Sequence, residues 1–206
     1  MKQQVVLATG NQGKVREFSQ LLAEFNWEFV PQTALHVAEI PETGLSFVEN
    51  ALIKARHAAQ GTGLPAIADD SGLVVDALNG APGLYSARYA GTPSNDVANN
   101  QKLLADLAAI PEAARSARFY CCIVYLRHAL DPTPVIAEAT WQGQILFAPQ
   151  GSNGFGYDPL FYVPNQQCSS AELVPALKNQ LSHRGQALRK LYGLLQQLNV
   201  ALHELD

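Results

Sequence analysis

The chain combines two kinds of local pattern, and this combination is what most constrains its fold. Some apolar runs lead through a glycine turn into a helical pattern: residues 5–8 are followed by Gly10 and then by an apolar stripe spaced for one helix face, formed by Val15, Phe18, Leu22 and Phe25. Other runs are joined by tight turns such as Asn79-Gly80, and residues 135–141 alternate as a half-buried strand does. Strand–helix units mixed with hairpins predict an α/β fold, a mixed sheet flanked by helices, and not a doubly wound parallel sheet.

Local signals also place the boundaries of several elements. Ser46 and Glu49 form a capping box at the start of one helix, for which Gly61 is the expected stop. Ser182 is the expected N-cap of the last helix. Further strands are predicted at residues 65–69, 73–78 and 119–126, and a further helix at residues 95–109.

The size and charge of the chain limit its functions. Its 206 residues are enough for one domain, so we expect residues 1–206 to form a single domain. Acidic residues outnumber basic ones by 18 to 14, which gives a net charge of −4. Because nucleic acids and anionic membranes bind basic surfaces, we expect neither as a partner, whereas a small anionic substrate needs only a few local cations.

The cysteines and the first residues indicate the compartment. Cys121, Cys122 and Cys168 are odd in number and lack the spacing of a zinc site, which is typical of free thiols in a reducing compartment. The apolar run at residues 5–8 is too short for a signal peptide, and no segment approaches the ~20 apolar residues of a membrane span. We therefore expect a cytoplasmic protein.

The loop after the first strand is a candidate phosphate-binding site. Gly10 and Gly13 let backbone N–H groups turn toward an anion at the start of the following helix, where the helix dipole is positive. Lys14 adds a full positive charge, and the Thr9 hydroxyl and the Asn11 amide add hydrogen-bond donors. The alternative is a plain glycine turn between strand and helix.

Two adjacent carboxylates, Asp69 and Asp70, follow an apolar strand, where open sheets place their ligand sites. Successive side chains of a strand point to opposite faces, so only one of the two can lie in a given cleft. That carboxylate can hold Mg²⁺ with Glu42 or Glu49 as a further oxygen ligand. The alternative is that D-D-S-G at residues 69–72 is a turn between two strands.

Residues 154–159, G-F-G-Y-D-P, place aromatic rings between glycines. Phe155 or Tyr157 can present a flat face to a nucleotide base, and the Asp158 carboxylate can accept a hydrogen bond from a ring N–H. The alternative is that both rings are core residues.

A cationic group follows in the C-terminal part of the chain, at Lys178, His183 and Arg184. With Ser182 as N-cap, His183 and Arg184 fall in the first helical turn, where positive charge opposes the helix dipole. This local cost favours a contact with a ligand or partner over a solvated face.

Taken in order, six segments resemble the inosine/xanthosine triphosphate pyrophosphatase family, and most closely its bacterial members. The segments are T-G-N-Q-G-K at residues 9–14, F-V-E-N-A-L-I-K-A at 47–55, A-D-D-S-G-L at 68–73, G-A-P-G-L-Y-S-A-R-Y-A-G at 80–91, G-F-G-Y-D-P at 154–159 and S-H-R at 182–184. The resemblance extends from about residue 5 to about residue 195, and six segments in register are very specific.

The resemblance implies an elongated two-lobed single domain with a central cleft, usually a homodimer. It also implies Mg²⁺-dependent hydrolysis of ITP, dITP, XTP and dXTP to the monophosphate and pyrophosphate, which cleanses the nucleotide pool. Carried over by motif, Asp70 would be the proton acceptor and, with Glu42, a metal ligand. The substrate-binding residues would be Thr9, Gly10, Asn11, Gly13, Lys14, Ser71, Phe155, Gly156, Tyr157, Asp158, Lys178, His183 and Arg184.

The residues present suit this chemistry better than its alternatives. Lys14, Lys54 and Lys178 supply counter-cations for a triphosphate, and a donor such as the Arg184 guanidinium or a backbone N–H suits the 6-oxo group of hypoxanthine and xanthine. A septum-protein-type pyrophosphatase for other modified nucleotides is disfavoured by the Phe155 loop. A nucleotide-sensing module without turnover is the other alternative. It is disfavoured by the acids Asp70 and Glu42, because a protein that only binds an anion gains nothing from them unless a metal is present.

Overall fold

The computed structural model describes residues 2–9, 15, 18–20 and 22–203, with side chains as far as residue 198. The chain divides into two compact units. One comprises Met1–Asp70, Cys121–Glu138 and Ala187–Asp206, and the other comprises Ser71–Tyr120 and Ala139–Gln186. None of the helices in the described residues combines the length and the apolar composition that crossing a bilayer requires.

The described residues contribute seven strands to one sheet, in the order β2-β1-β3-β4-β5-β6-β7. The strands are β1 Gln3–Leu7, β2 Trp27–Pro31, β3 Ala66–Val75, β4 Ser116–Leu126, β5 Val135–Ile145, β6 Phe161–Val163 and β7 Cys168–Ser169. Strand β1 runs parallel to β2 and β3, whereas β6 runs antiparallel to β5 and β7. The sheet is therefore mixed and has helices beside it, which confirms the predicted fold class.

In the first unit, helix α1 (Phe47–Thr62) packs its alanine-rich face against the start of the sheet. Ala58 and Ala59 form one apolar cluster with Val6 and Ala66, because small side chains let the helix approach the strands closely. The predicted capping box at Ser46 is present: the Glu49 N–H donates to Ser46 Oγ at 3.4 Å. The helix does not stop at Gly61, because Gly63 takes the left-handed conformation with φ 69° and donates to the Ala59 carbonyl.

Strand β3 differs from the prediction of two strands at residues 65–69 and 73–78, and it is continuous over ten residues. The D-D-S-G sequence is not a turn. Strand β1 pairs with the start of β3, at Ala66 and Ile67, and β4 is the neighbour on its other side; pairing within the sheet outweighs the local turn preference of Asp70 and Ser71. Residues 76–78 form a short 3-10 helix, and Asn79 and Gly80, both with positive φ, make the predicted turn.

In the second unit, helix α2 (Asp96–Asp106) lies within the predicted range and is capped by Asn95, whose side chain accepts from the Ala98 N–H at 3.0 Å. Leu103 and Leu107 are fully buried in a cluster with residues of β3, β5 and β6. Two further helices, α3 (Pro175–Leu181) and α4 (His183–His203), are separated by the extended residue Ser182. The predicted N-cap is confirmed, since Ser182 Oγ accepts from the Gly185 N–H at 3.2 Å.

Arg115 is a buried cation in the same unit, only 1% exposed. Its guanidinium donates to four main-chain carbonyls: Nε to Ile145 at 2.9 Å, Nη1 to Leu107 at 2.9 Å and to Ile110 at 3.4 Å, and Nη2 to Leu146 at 3.0 Å. The Phe147 ring covers it with its centroid 4.1 Å from Cζ. Burial lowers the pKa of this guanidinium. Arg115 therefore joins the end of α2 to the end of β5.

The predicted first helix lies partly outside the described residues. Val15 and residues 18–20 are helical, and Phe18 and Leu22 of the predicted apolar stripe are buried. Phe25, the last position of that stripe, belongs to a 3-10 helix at Ala23–Phe25 instead.

Candidate active site

Two carboxylates and one lysine form a compact cluster in the first unit. The Lys54 Nζ of α1 lies 2.6 Å from Glu42 Oε1 and 3.0 Å from Asp70 Oδ1. The three side chains are between 12% and 26% exposed, so water screens them only partly. One ammonium ion thus bridges an acid from the segment before α1 and an acid from the middle of β3, and the cluster keeps one net negative charge.

The buried side chain of Asn50 hydrogen-bonds to Asp70 and to the main chain of Gly44. It is 2% exposed and lies one helical turn before Lys54, so both side chains project from the same face of α1. Its Oδ1 accepts from the Gly44 N–H at 2.8 Å, and its amide also hydrogen-bonds Asp70 and holds down the pKa of that carboxyl. A side chain at Gly44 would approach Asn50 Oδ1 to 2.8 Å. Asn50 therefore fixes the approach of the Glu42 segment to the helix.

The charges in the cluster shift the proton affinity of Asp70. Burial raises the pKa of Asp70, and the nearby Glu42 raises it further, while Lys54 opposes both; the net direction is upward. Burial lowers the pKa of Lys54, but attraction by Asp70 and the hydrogen bond to Glu42 more than offset this, so its pKa is raised. Lys54 is therefore a permanent cation at neutral pH, and Asp70 is a stronger base than an ordinary aspartate.

The structure distinguishes between the acids that the sequence left open. Asp69 is 6% exposed, and its negative charge contributes to raising the pKa of Lys54. Glu49 is committed to the capping box: its Oε2 accepts from Ser46 Oγ at 2.7 Å and from the Leu45 N–H at 2.9 Å. Glu42, and not Glu49, therefore lies beside Asp70.

The donor set of the cluster fits a hard divalent ion bound together with a substrate. Within the described part of the chain, no group of three or more His, Cys, Asp or Glu side chains is arranged to hold a metal by itself. Mg²⁺ usually takes only one or two carboxylates and completes its shell with water and substrate phosphates. The oxygens of Glu42 and Asp70 already face one shared cation, Lys54, so they match that requirement.

The predicted phosphate loop can be followed only at its start. Thr9 comes directly after β1, and its N–H donates to the Leu7 carbonyl at 2.7 Å. The other predicted phosphate contacts, Gly10, Asn11, Gly13 and Lys14, lie outside the described residues. Phosphate binding by this loop stays a prediction.

In the second unit, the two rings of the glycine-rich loop have different environments. The Phe155 side chain is 68% exposed, and the Lys178 Nζ lies 5.0 Å from its ring centroid. Tyr157 is buried, and its hydroxyl donates to the Ser86 carbonyl at 2.8 Å. Phe155 is thus available for stacking, whereas the ring of Tyr157 belongs to the core.

Asp158 holds this loop together. Its Oδ2 accepts from the Phe155 N–H at 2.8 Å and pairs with the Lys178 ammonium, and its Oδ1 accepts from Ser170 Oγ at 2.8 Å. Gly154, with φ 79°, has no room for a side chain: a Cβ would overlap Asp158 Oδ2 and lie 2.9 Å from the Lys178 Nζ. Both carboxylate oxygens are therefore engaged within the protein, and the pair with Lys178 sets the position of Phe155.

The other side of the loop is held by α2. The Gly156 N–H donates to Asp96 Oδ2 at 2.7 Å, and the Gly156 carbonyl accepts from Asn100 Nδ2 at 2.9 Å. The sequence analysis assigned no role to Asp96 or Asn100. Their spacing of four residues on a predicted helix was the available signal, because it puts both side chains on one face.

His183 and Arg184 begin α4, as predicted. The His183 ring stacks on Phe119 with centroids 4.8 Å apart and planes inclined by 12°. At Gly185 a Cβ would overlap the Asn179 carbonyl, so only glycine allows this approach of α3 and α4. Ser71 follows Asp70 on β3 and is half-buried. Of the residues predicted to bind substrate, the structure thus brings together Phe155, Gly156, Asp158 and Lys178 in the second unit.

Comparisons with known proteins cover almost the whole chain. A family model described as the Ham1 family matches residues 5–194. A protein of Vibrio parahaemolyticus named dITP/XTP pyrophosphatase is 60% identical over 93% of this chain and 96% of its own length. One of Yersinia pseudotuberculosis with the same name is 58% identical over 94% and 98%.

Two solved structures have the same fold. A HAM1 protein from Coxiella burnetii gives a TM-score of 0.92 at 51% identity and covers 95% of this chain and 99% of that one. A protein from Mycobacterium abscessus, described as a nucleoside-triphosphatase or dITP/XTP pyrophosphatase, gives 0.78 at 43% identity and covers 91% and 98%.

Proposed function

Because the chain belongs to the Ham1 family, we infer that it is a nucleoside triphosphate pyrophosphatase that hydrolyses dITP and XTP to the monophosphate and pyrophosphate. ITP and dXTP carry the same 6-oxo bases and belong to the same substrate group. This activity removes non-canonical purines from the nucleotide pool. The family identity agrees with the resemblance found in the sequence motifs.

We propose that Glu42 and Asp70 hold Mg²⁺ together with the substrate phosphates. When bound, the ion supplies positive charge to the phosphate oxygens. Asp70 takes the proton of the attacking water, and its raised basicity suits that role at neutral pH. The water oxygen forms a bond to the α-phosphorus as the bond from that phosphorus to the bridging oxygen breaks, and pyrophosphate leaves.

Lys54 has a second role in this scheme. Its ammonium offsets part of the negative charge of the two acids in the free protein and remains protonated, so it can stabilise negative charge that develops on the phosphates. Stabilisation of developing charge by a fixed cation lowers the barrier without a proton transfer of its own.

The nucleotide contacts are proposals that the local geometry supports. The exposed Phe155 ring offers a stacking face for the base, with the Lys178 ammonium beside it for a phosphate or the ring edge. Gly156, Tyr157 and Asp158 keep this loop in shape. Thr9 and residues 10–14 would bind the triphosphate, and Ser71, His183 and Arg184 would contact the substrate.

The observation that carries the catalytic part of the proposal is the pair of partly buried acids that share Lys54. A protein that only bound an anionic nucleotide would lose affinity by placing Glu42 and Asp70 near the phosphates. A metal-dependent hydrolase needs both, one for the ion and one for the proton.

The test is pyrophosphate release from dITP, XTP, dGTP and dATP, with Mg²⁺ or with EDTA. We expect turnover of dITP and XTP that greatly exceeds that of dATP and that stops in EDTA. Equal turnover of dATP and dITP would contradict the base selectivity, and binding of dITP without release would support a sensor. The homodimer and the cytoplasmic location stay predictions, and sedimentation would test the first.

A further inference from the structure

We propose that Asp96 and Asn100 of α2 are positioning residues that hold the Phe155 ring in place for the purine base. The inference rests on the proposed function and extends it, because it names residues that touch no substrate. Both act through the main chain of Gly156. We call these two side chains and that peptide the α2 clamp.

The α2 clamp holds one residue from both ends. Asp96 accepts from the Gly156 N–H at 2.7 Å, and Asn100 donates to the Gly156 carbonyl at 2.9 Å. These partners are 60 and 56 residues apart in the chain, so the bonds are tertiary contacts. Two bonds on opposite groups of one residue restrict both rotation and translation of that part of the loop.

The loop needs such a restraint because its own packing supplies little. Phe155 is 68% exposed, so few contacts fix its ring direction. Gly156 has φ 61°, and a Cβ placed there would meet nothing within 4 Å. Glycine is therefore favoured at this position by its positive φ and not by a lack of space for a side chain. Glycines on both sides of Phe155 give the unrestrained chain many alternative directions.

Helix α2 is a rigid support for the clamp. Leu103 and Leu107 anchor it in the core with no exposed surface. Asn99 fixes its neighbouring face: its Oδ1 accepts from the Ala90 N–H at 2.7 Å, and its Nδ2 donates to the Ala87 carbonyl at 3.1 Å. A side chain on such a helix moves little, so the bonds to Gly156 transmit its position to the loop.

The residue types at the two clamp positions match the groups they hold. Gly156 N–H needs an acceptor, and Asp96 supplies one in the first helical turn, where negative charge is favourable. The Gly156 carbonyl needs a donor, which the Asn100 amide supplies while its Oδ1 stays buried without a hydrogen bond to any described residue. Leaving this oxygen unpaired costs free energy, and the hydrogen bond from the Asn100 amide to the Gly156 carbonyl offsets part of that cost.

The chemistry of the clamp defines matched variants. Asp96→Asn keeps an oxygen acceptor and should behave as the wild type, whereas Asp96→Ala removes it. Asn100→Asp keeps the shape but offers only acceptors to a carbonyl, so it should release the loop. Circular dichroism and thermal melting check that each variant is folded.

The readout separates base binding from phosphate binding. For Asp96→Ala and Asn100→Asp we expect KM for dITP and the Kd of dIMP to rise roughly tenfold, the factor expected for losing most of one base-stacking contact. The Kd of pyrophosphate, which has no base, and kcat should change less than about twofold, since the loss is uniform binding.

The outcomes distinguish this inference from the proposed function. If the wild type releases no pyrophosphate from dITP, the proposed function is wrong. If the wild type is active and both disrupting variants keep its KM and its dIMP affinity, the clamp does not position Phe155. Parallel losses of dIMP and pyrophosphate affinity, or a defect in Asp96→Asn equal to that of Asp96→Ala, would also overturn the positioning role.

Discussion

Replacing Asp70 by Asn removes a charge that the fold itself disfavours, so activity and stability should respond in opposite ways. The substitution keeps the shape of the side chain, and its amide oxygen can still accept from Lys54, 3.0 Å away in the native protein. It removes the proton acceptor of the proposed reaction. General-base catalysis typically contributes about 10²- to 10⁴-fold, so we expect kcat for dITP to fall by about that factor.

The effect on folding follows from the balance of interactions around Asp70. Burial and the charge of Glu42 raise its pKa against the attraction of Lys54, so the native state favours the neutral carboxyl more than the unfolded chain does. An uncharged amide should therefore leave the free energy of unfolding at pH 7 unchanged or raise it by up to about 1 kcal/mol, or roughly 2–4 °C in Tm for a chain of this length. Urea denaturation and calorimetry measure this.

The contribution of Asp70 to the free energy of unfolding depends on pH, and the raised pKa fixes the sign of this dependence. A carboxyl whose folded pKa exceeds its unfolded value of about 3.9 stabilises the protein fully below that value, and the contribution is lost as the pH rises through the folded pKa. The stability of the wild type relative to Asp70→Asn should therefore grow as the pH falls from 7 toward 4. The acid limb of kcat/KM should likewise lie above the pH expected for an ordinary aspartate.

Asp76→Asn is the matched control. The hydrogen bond from Ser116 at 2.8 Å and the Arg118 guanidinium at 2.7 Å lower the pKa of Asp76. Its contribution is present above the unfolded pKa and lost as the pH falls through the folded one. The same substitution there should cost up to about 1 kcal/mol at pH 7 and leave turnover intact. If Asp70→Asn destabilised the protein more than Asp76→Asn, or kept near-normal rates, the reasoning about Asp70 would be refuted.

Three further experiments, with four substitutions, test other parts of the structure. Gly154→Ala should raise KM for dITP at least tenfold, because the new Cβ displaces Asp158. Gly156→Ala should cost only the backbone strain of about 1 kcal/mol and change the affinity for dITP little. Equal effects of the two substitutions in steady-state kinetics would contradict this. Glu42→Gln should weaken Mn²⁺ binding about tenfold or more when a non-hydrolysable dITP analogue is present. Electron paramagnetic resonance measures this affinity, and an unchanged affinity would show that Glu42 is not a metal ligand. Arg115→Met should lower the free energy of unfolding by about 3–5 kcal/mol, because it removes the guanidinium donors of four main-chain carbonyls, although the Leu107 carbonyl keeps the Ile110 N–H at 3.0 Å. A loss under about 1 kcal/mol in urea denaturation would show that the other carbonyls find new partners.

Features that depend on neighbouring residues in the chain were predictable. The Ser46 capping box, the Asn79-Gly80 turn and the Ser182 N-cap are all set by local hydrogen bonds, and each is present. The motifs pointed to Glu42, Asp70 and Phe155. Glu42 and Asp70 share Lys54 and the Phe155 ring is exposed, while their roles toward a metal and a substrate stay predictions.

What the sequence did not reveal depends on partners distant in the chain. The D-D-S-G segment stays extended because it continues a strand that is paired within the sheet, with β1 at its start and β4 as its other neighbour, and nothing near Asp70 in sequence shows this. The roles of Asn50 and Asn100 also depend on tertiary hydrogen bonds, to Asp70 and Gly156. Asparagine within a helix has no distinctive local pattern, since its side chain can hydrogen-bond either to nearby main-chain groups or to groups distant in the chain.

The continuity of β3 has a consequence for how the reaction starts. A general base on a mobile loop would have to be ordered anew in each turnover, and part of the binding energy would be spent on that. Asp70 is instead carried by an interior strand, whose amide hydrogens should exchange with solvent only when the sheet itself opens. The proposed proton acceptor is therefore in place before any nucleotide binds, and substrate binding would have to orient the substrate alone.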